Sequence, residues 1–175
     1  MLIVRSEQMQ GLQSDLERRF VDSLMALLLA HFPTASLPQA AEPRPSLAAL
    51  PRPVLNILVE GALAQARTYG LAYQAQIGAY VALRILLGGG IDQQTFIRKI
   101  LGDPQIPPNE RLASLWRLTS EHDWAEVQRA LGPTDWKPTG CKAQAKLIAD
   151  KISASLPATP LTAIVGGAET QRPAA

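Results

Sequence analysis

Residues 24–30 read LMALLLA, and Pro33 follows almost at once, so a helix entering this stretch has almost no polar side to turn toward water. Behind Ser6, the residues Met9, Leu12, Leu16, Phe20, Leu24, Leu27 and His31 recur at spacings of three or four, which predicts one helical face. Asp15, Arg18, Arg19 and Asp22 fall on the other face. The polar half ends near Ser23. A helix of this kind must be enclosed, either by other helices of the chain or by a partner, and every later reading has to supply that cover.

Six of the fourteen prolines lie between residues 33 and 53, at 33, 38, 43, 45, 51 and 53. They predict a linker or extended surface arm, because proline fixes φ and removes a backbone donor. Leu47 and Leu50 are candidates to pin it to the body. Pro53 suits a helix first turn, and Leu55, Leu58, Val59, Ala62, Ala66 and Tyr69 make the next stripe, with Gly70 placed to close it in the left-handed region. A third helix is predicted from about Tyr73 to Leu87. It is so apolar, with Ile77, Tyr80, Val81 and residues 83–87, that it should be central. Gly88, Gly89 and Gly90 end it.

Asp92 reads as the cap of a short helix carrying Phe96, Ile97, Ile100 and Leu101, which stops at Gly102. Asn109 reads as the cap of a helix with Leu112, Leu115 and Trp116 inward. Ser120 with Asp123 resembles a capping box opening a helix with Trp124, Val127 and Leu131. A last helix, over about residues 139–155, places Ala143, Leu147, Ile148 and Ile152 at helical spacing. No strand-like alternation and no repeat of 20 to 50 residues is present. The expected fold is all-α: a single compact bundle of about six to seven helices. Its helical domain spans residues 1–156, contains the proline-rich arm at 33–53, and is followed by a mobile tail at 157–175 in which Leu161, Ile164 and Val165 offer short contacts.

Composition narrows the function classes. Charged residues are 18% of the 175 and apolar ones 47%, against a usual charged share of roughly 25%, which leaves apolar surface for a partner. A net charge of +2 is too small an excess to imply nucleic acid. Cys141 is the only cysteine, so neither an intrachain disulfide nor a cysteine-rich zinc site can form. The opening MLIVRSEQMQ lacks the pattern of a signal peptide, and no apolar run approaches the ~20 residues of a membrane span. A cytoplasmic location is expected.

Chemistry-bearing residues are few. The triple glycine is followed by Ile91, Asp92 and Gln93 rather than Lys-Ser/Thr, so it reads as a helix terminator and not a phosphate loop. His31 and His122 lack metal-binding spacing; His31 reads as a capping or core residue at a helix end. His122, between Glu121 and Asp123, and Cys141, beside Lys142, together suggest a base and a nucleophile, but no third member or oxyanion loop accompanies them. Lys137, Lys142, Lys146 and Lys151 read as a solvated basic face. No catalytic, cofactor-binding or metal-binding residue is assigned, and no cofactor is expected.

The order of landmarks resembles a family of small, uncharacterised helical proteins encoded beside bacterial type VI secretion effectors and spike components. The residues that carry it are MLIVRSEQM at the start, a long helix ending in HFP, ARTYG at 66–70, and Ile77 with Tyr80. Gly90, Ile91 and Asp92 follow, then Ile100, Leu101, Gly102 and Asp103, and finally Arg111 and Leu112. The resemblance covers roughly residues 1–116. It departs at the insert of 33–53, at the tail after Pro138, and in lacking a tryptophan soon after Asp92. It implies an accessory role, as chaperone, adaptor or cognate binding protein of an effector, and carries over no catalytic residue.

The reading is therefore a non-enzymatic protein-binding domain. Its candidate partner-binding residues are Leu24, Leu28, Tyr80, Leu87, Trp116, Trp124 and Trp136, and homo-oligomerisation stays open. Two other classes stay open as well: a nucleic-acid-binding regulator using the basic last helix, and a small toxin or enzyme using His122 and Cys141.

Overall fold

The computed structural model describes residues 6–38, 44–131 and 140–161. Its helices are α1 (Ser6–His31), α2 (Arg52–Thr68), α3 (Gln74–Leu87), α4 (Thr95–Leu101), α5 (Arg111–Leu118), α6 (Glu121–Leu131) and α7 (Cys141–Ser153). Short 3-10 turns occupy Leu47–Ala49 and Ile91–Gln93. Among the described residues there is no strand, only isolated bridges pairing Ser36 with Ser46 and Tyr73 with Pro160. The fold is an all-α bundle.

α3 is the centre. From Ile77 to Leu87 every residue except Arg84 is buried, the outcome expected of a helix apolar on all sides. It packs most extensively against α7 and then α2, while α1 touches α2, α3 and α7. Gly78 permits this crowding: a Cβ there would collide with Leu156 Cδ1 and stand 3.1 Å from Ile152 Cγ2 and 3.5 Å from Leu24 Cδ1. Gly88 ends α3 at φ +95°, and Gly70 follows α2 at φ +69°, both in the region that favours glycine. Arg111 braces the second turn, donating from Nε to the Ile106 carbonyl at 3.0 Å and from Nη1 to the Tyr69 carbonyl.

α1 and α2 run antiparallel, held in register by two ion pairs. Arg67 grips Glu17 at 2.6 Å and Arg52 reaches Asp22 at 2.8 Å. The hydrogen bond from Arg67 holds the Glu17 carboxyl below its ordinary range. Exposed pairs of this kind contribute at most about 1 kcal/mol each, so they fix alignment more than they stabilise.

The proline-rich arm folds back on itself. Leu47 donates its N–H to the Ala35 carbonyl at 2.8 Å and Ala48 to that of Pro33 at 3.0 Å, and Leu47 is fully buried, with Leu50 half-buried. Residues 39–43 of the arm lie outside the described residues. At the other end the body continues past the expected boundary at 156. Leu161 is buried and donates to the Ala72 carbonyl at 2.8 Å, and Gln74 donates to that of Thr159 at 2.9 Å. The remainder of the expected tail, with Ile164 and Val165, lies outside the described residues.

Several local expectations need correction. Asp92 does not cap α4; it sits in the Ile91–Gln93 turn, and Gln94 holds the cap position without a side-chain bond. Asn109 does not cap α5, because Glu110 takes that place, and the Asn109 carbonyl instead accepts from Gln76 Nε2. In α7 the expected inward Ala143 and Leu147 face solvent, Leu147 with 56% of its surface exposed, while Cys141, Ala145, Ile148, Ala149 and Ile152 form the buried stripe. In α1 the core side is Phe20, Val21, Leu24, Met25 and Leu28, whereas Leu12 and Leu16 are exposed. The helix end is not enclosed all round either: Ala26, Leu29 and Ala30 reach the surface.

Replacing Gly78 by Val should cost about 1–3 kcal/mol in urea unfolding through overpacking. Gly61→Ala, where nothing lies within 4 Å of the added carbon, should instead gain up to about 1 kcal/mol from helix propensity.

Candidate functional site

The most chemically loaded point of the core joins α3 to the Ile91–Gln93 turn. The Tyr80 hydroxyl donates to Asp92 Oδ1, and Arg84 Nη1 stands 3.0 Å from Asp92 Oδ2. That last approach is coulombic, since the Nη1 proton makes no aligned hydrogen bond. Tyr69 meets Tyr80 edge-on, with ring centroids 5.9 Å apart.

Burial raises the pKa of Asp92, against the opposing pull of the Tyr80 hydroxyl and the Arg84 guanidinium. Burial and the same carboxylate drive the Tyr80 hydroxyl up as well. The raised phenol is no ready nucleophile at neutral pH. The trio is a buried tie between two elements. Tyr80 and Asp92 are twelve residues apart in sequence, and no motif spacing announces such a pairing.

The residues considered for catalysis sit on adjoining helix starts, where the Lys142 N–H donates to Glu121 Oε2 at 3.1 Å. Cys141 is buried and donates from Sγ to Gln128 Oε1 at 2.7 Å. Burial and the nearby Glu121 raise its pKa, opposite to what a thiolate nucleophile needs. His122 is largely solvent-facing, with Nε2 3.6 Å from Glu126 Oε1. His31 is exposed at the end of α1, its ring tilted against Phe32, so it is not a core residue.

The Ser120–Asp123 pair does form a capping box. The Ser120 N–H and hydroxyl both reach Asp123 Oδ2 at 2.7 Å, and the Asp123 N–H returns to Ser120 Oγ at 3.3 Å. Those bonds lower the Asp123 pKa.

The candidate partner-binding residues divide sharply. Leu24, Leu28, Tyr80, Leu87 and Trp124 are buried in the chain's own core, so they meet no partner while the bundle is closed. Trp124 donates from Nε1 to Thr119 Oγ1 at 2.8 Å, stacks on Trp116 at 5.3 Å and takes Phe96 edge-on at 6.0 Å. Trp116 keeps a partly exposed flank. Trp136 and Lys137 lie outside the described residues. The α7 lysines are engaged within the chain: Lys142 Nζ donates to the Thr119 carbonyl, Lys146 pairs with Asp150 at 2.6 Å, and Lys151 Nζ lies 5.6 Å above the Phe32 ring.

What the sequence reading missed is where apolar surface stays open. One groove, of about 840 Å³, runs between α1 and the segment after α7, with Leu16, Phe20, Leu27, Leu156 and Pro160 in its walls. A second, of about 480 Å³, lies between the arm, α2 and the end of α3. There Val54, Ile57 and Leu58 form an exposed ridge, Ile57 with 68% of its surface bare. Among the described residues no group of His, Cys, Asp and Glu is placed to hold a metal ion, and no helix is long and apolar enough to cross a membrane. Comparison with family models, with curated proteins and with solved structures gives no match to this chain.

Two outcomes are expected. The folded pKa of Asp92 lies above its ordinary value of 3.8, so its contribution is full below that pH and is lost as pH rises through the folded pKa. Asp92→Asn, which keeps an acceptor for Tyr80, should remove that loss in stability curves taken from about pH 4 upward. Asp92→Ala should cost about 1–3 kcal/mol near pH 4, by leaving the hydroxyl unpartnered, and less as pH rises through the folded pKa. In the second experiment, Cys141 should react with a thiol reagent at least roughly tenfold more slowly in the native chain than in denaturant.

Proposed function

We propose that this chain is a non-enzymatic protein-binding helical protein that serves a bacterial type VI secretion effector as chaperone, adaptor or cognate binding protein. The observation that carries the binding reading is the uneven cover of α1. Along the ridge Leu12, Leu16, Phe20, Leu24 and Leu28, the last three are buried and the first two bare, Leu16 with 42% of its surface exposed.

The helix is 26 residues long, about 39 Å at 1.5 Å per residue, and its apolar stripe outruns the body that covers it. Bare leucines that continue a buried ridge, beside a groove walled by Leu156 and Pro160, supply the contiguous apolar patch that marks a protein interface. The effector as partner rests on the landmark resemblance.

Full-length chain co-expressed with the product of the adjacent effector gene should co-elute with it, and light scattering should give the mass of a complex. Leu16→Asp should weaken that complex at least tenfold, about 1.4 kcal/mol, without lowering the melting temperature of the chain alone. A monodisperse monomer indifferent to the effector would sink the proposal.

A further inference from the structure

The last described residues run back along α1, from its covered half toward its bare one. Leu156 packs on Gly78 at the level of Leu24. Beyond it the chain pairs with the start of α3 in antiparallel sense: the Gln74 N–H donates to the Thr159 carbonyl at 2.9 Å, Tyr73 bridges Pro160, and the Leu161 N–H donates to the Ala72 carbonyl at 2.8 Å. Ala72 adjoins Leu71, whose N–H reaches the Ala66 carbonyl at 3.2 Å, and Arg67, next to Ala66, is the residue that grips Glu17. The chain therefore leaves Leu161 near the level of Leu16 and Glu17, heading for the first half of α1.

The lengths agree with that course. Leu24 and Leu16 are about 12 Å apart along the helix, a span that residues 156–161 cover without full extension. Continued in the same direction, Thr162 to Val165 reach up to about 13 Å further. Leu12 lies only about 6 Å beyond Leu16.

The sequence places apolar side chains where that reach falls. Of residues 162–175, TAIVGGAETQRPAA, only Ile164 and Val165 are large and apolar, and Gly166 and Gly167 follow them directly. The surface ahead of them is the bare pair Leu16 and Leu12, at the open groove that Leu161 itself helps to line. Tethering at Leu161 gives the pair an effective concentration in the millimolar range. Two aliphatic side chains then suffice where a separate chain would need a larger interface.

We infer that in the unpartnered chain Ile164 and Val165 occupy the groove beside α1 and cover Leu16 and Leu12. The contact is a property of the chain alone. Under the protein-binding reading, on which only this consequence rests, a partner gains the α1 ridge by displacing the segment.

Methyl NMR of the full chain, with no partner present, tests the contact. Nuclear Overhauser effects should join the Ile164 and Val165 methyls to those of Leu16 and Leu12. Ile164→Asp combined with Val165→Asp, changes outside the core helices, should abolish these effects and shift the Leu16 and Leu12 resonances, while leaving those of Leu58 on α2 in place. Failure of an effector to bind bears on the protein-binding reading and not on this result.

Ile164 and Val165 methyls at random-coil positions, without effects to α1, would overturn the inference. So would effects to Leu16 from Ile3 or Val4 in their place, which would assign the cover to the start of the chain. Effects that a mixed-label sample shows to be intermolecular would also overturn it, by assigning the groove to a second copy.

Discussion

Everything else in the bundle is arranged around the need to keep α3 dry. A helix with ten buried residues among its fourteen has no face to offer water, and each exposed aliphatic side chain would forfeit about 1.5–3 kcal/mol of transfer free energy. Helices on several sides are the means of covering it, and α1, α2 and α7 provide them. Gly78 sets how closely they come: with no side chain at that level, Leu24, Ile152 and Leu156 converge on the α3 backbone. The arm, hydrogen-bonded across its own fold, and the segment to Leu161, bonded to residues at the start of α3, then close gaps that three helices leave.

The single charged residue of α3 creates the chemistry of the interior. Arg84 emerges where the helix nears its end, and Asp92 returns one turn later to meet both it and Tyr80. Burial makes the carboxylate an uneasy anion and the phenol a very weak acid, and the cluster ties α3 to the turn after it. Cover is also unequal at the periphery. The first half of α1 and the outer ridge of α2 keep leucine, isoleucine and valine at the surface, and these are the places where another molecule gains most by binding.

Legibility followed the strength of the local signal. The central helix was readable because its apolar run admits no solvent face. The glycine stops after it and after α2 were readable because positive φ is nearly a glycine property. The Ser120–Asp123 box was readable because its bonds span three residues. The cap expected at Asp92 failed because its carboxylate has a distant partner in Tyr80, and the one expected at Asn109 because α5 starts one residue later, with Glu110 at the cap position. Weakly amphipathic α7 was misread by part of a turn, since Leu147 and Ile148 are equally apolar and only the position of α3 chooses between them. The open grooves left no trace in spacing at all.

From sequence alone came the helical class, the order of the helices and the central place of α3, because backbone propensity, periodicity and turn chemistry are local properties. Tertiary structure decided which half of α1 is covered. Five of the leucines and aromatics expected at an interface, Leu24, Leu28, Tyr80, Leu87 and Trp124, went into the core, and Leu16 and Ile57 were left outside. A side chain's hydrophobicity states how much it gains from burial, not what will bury it. That depends on where the other helices end in space.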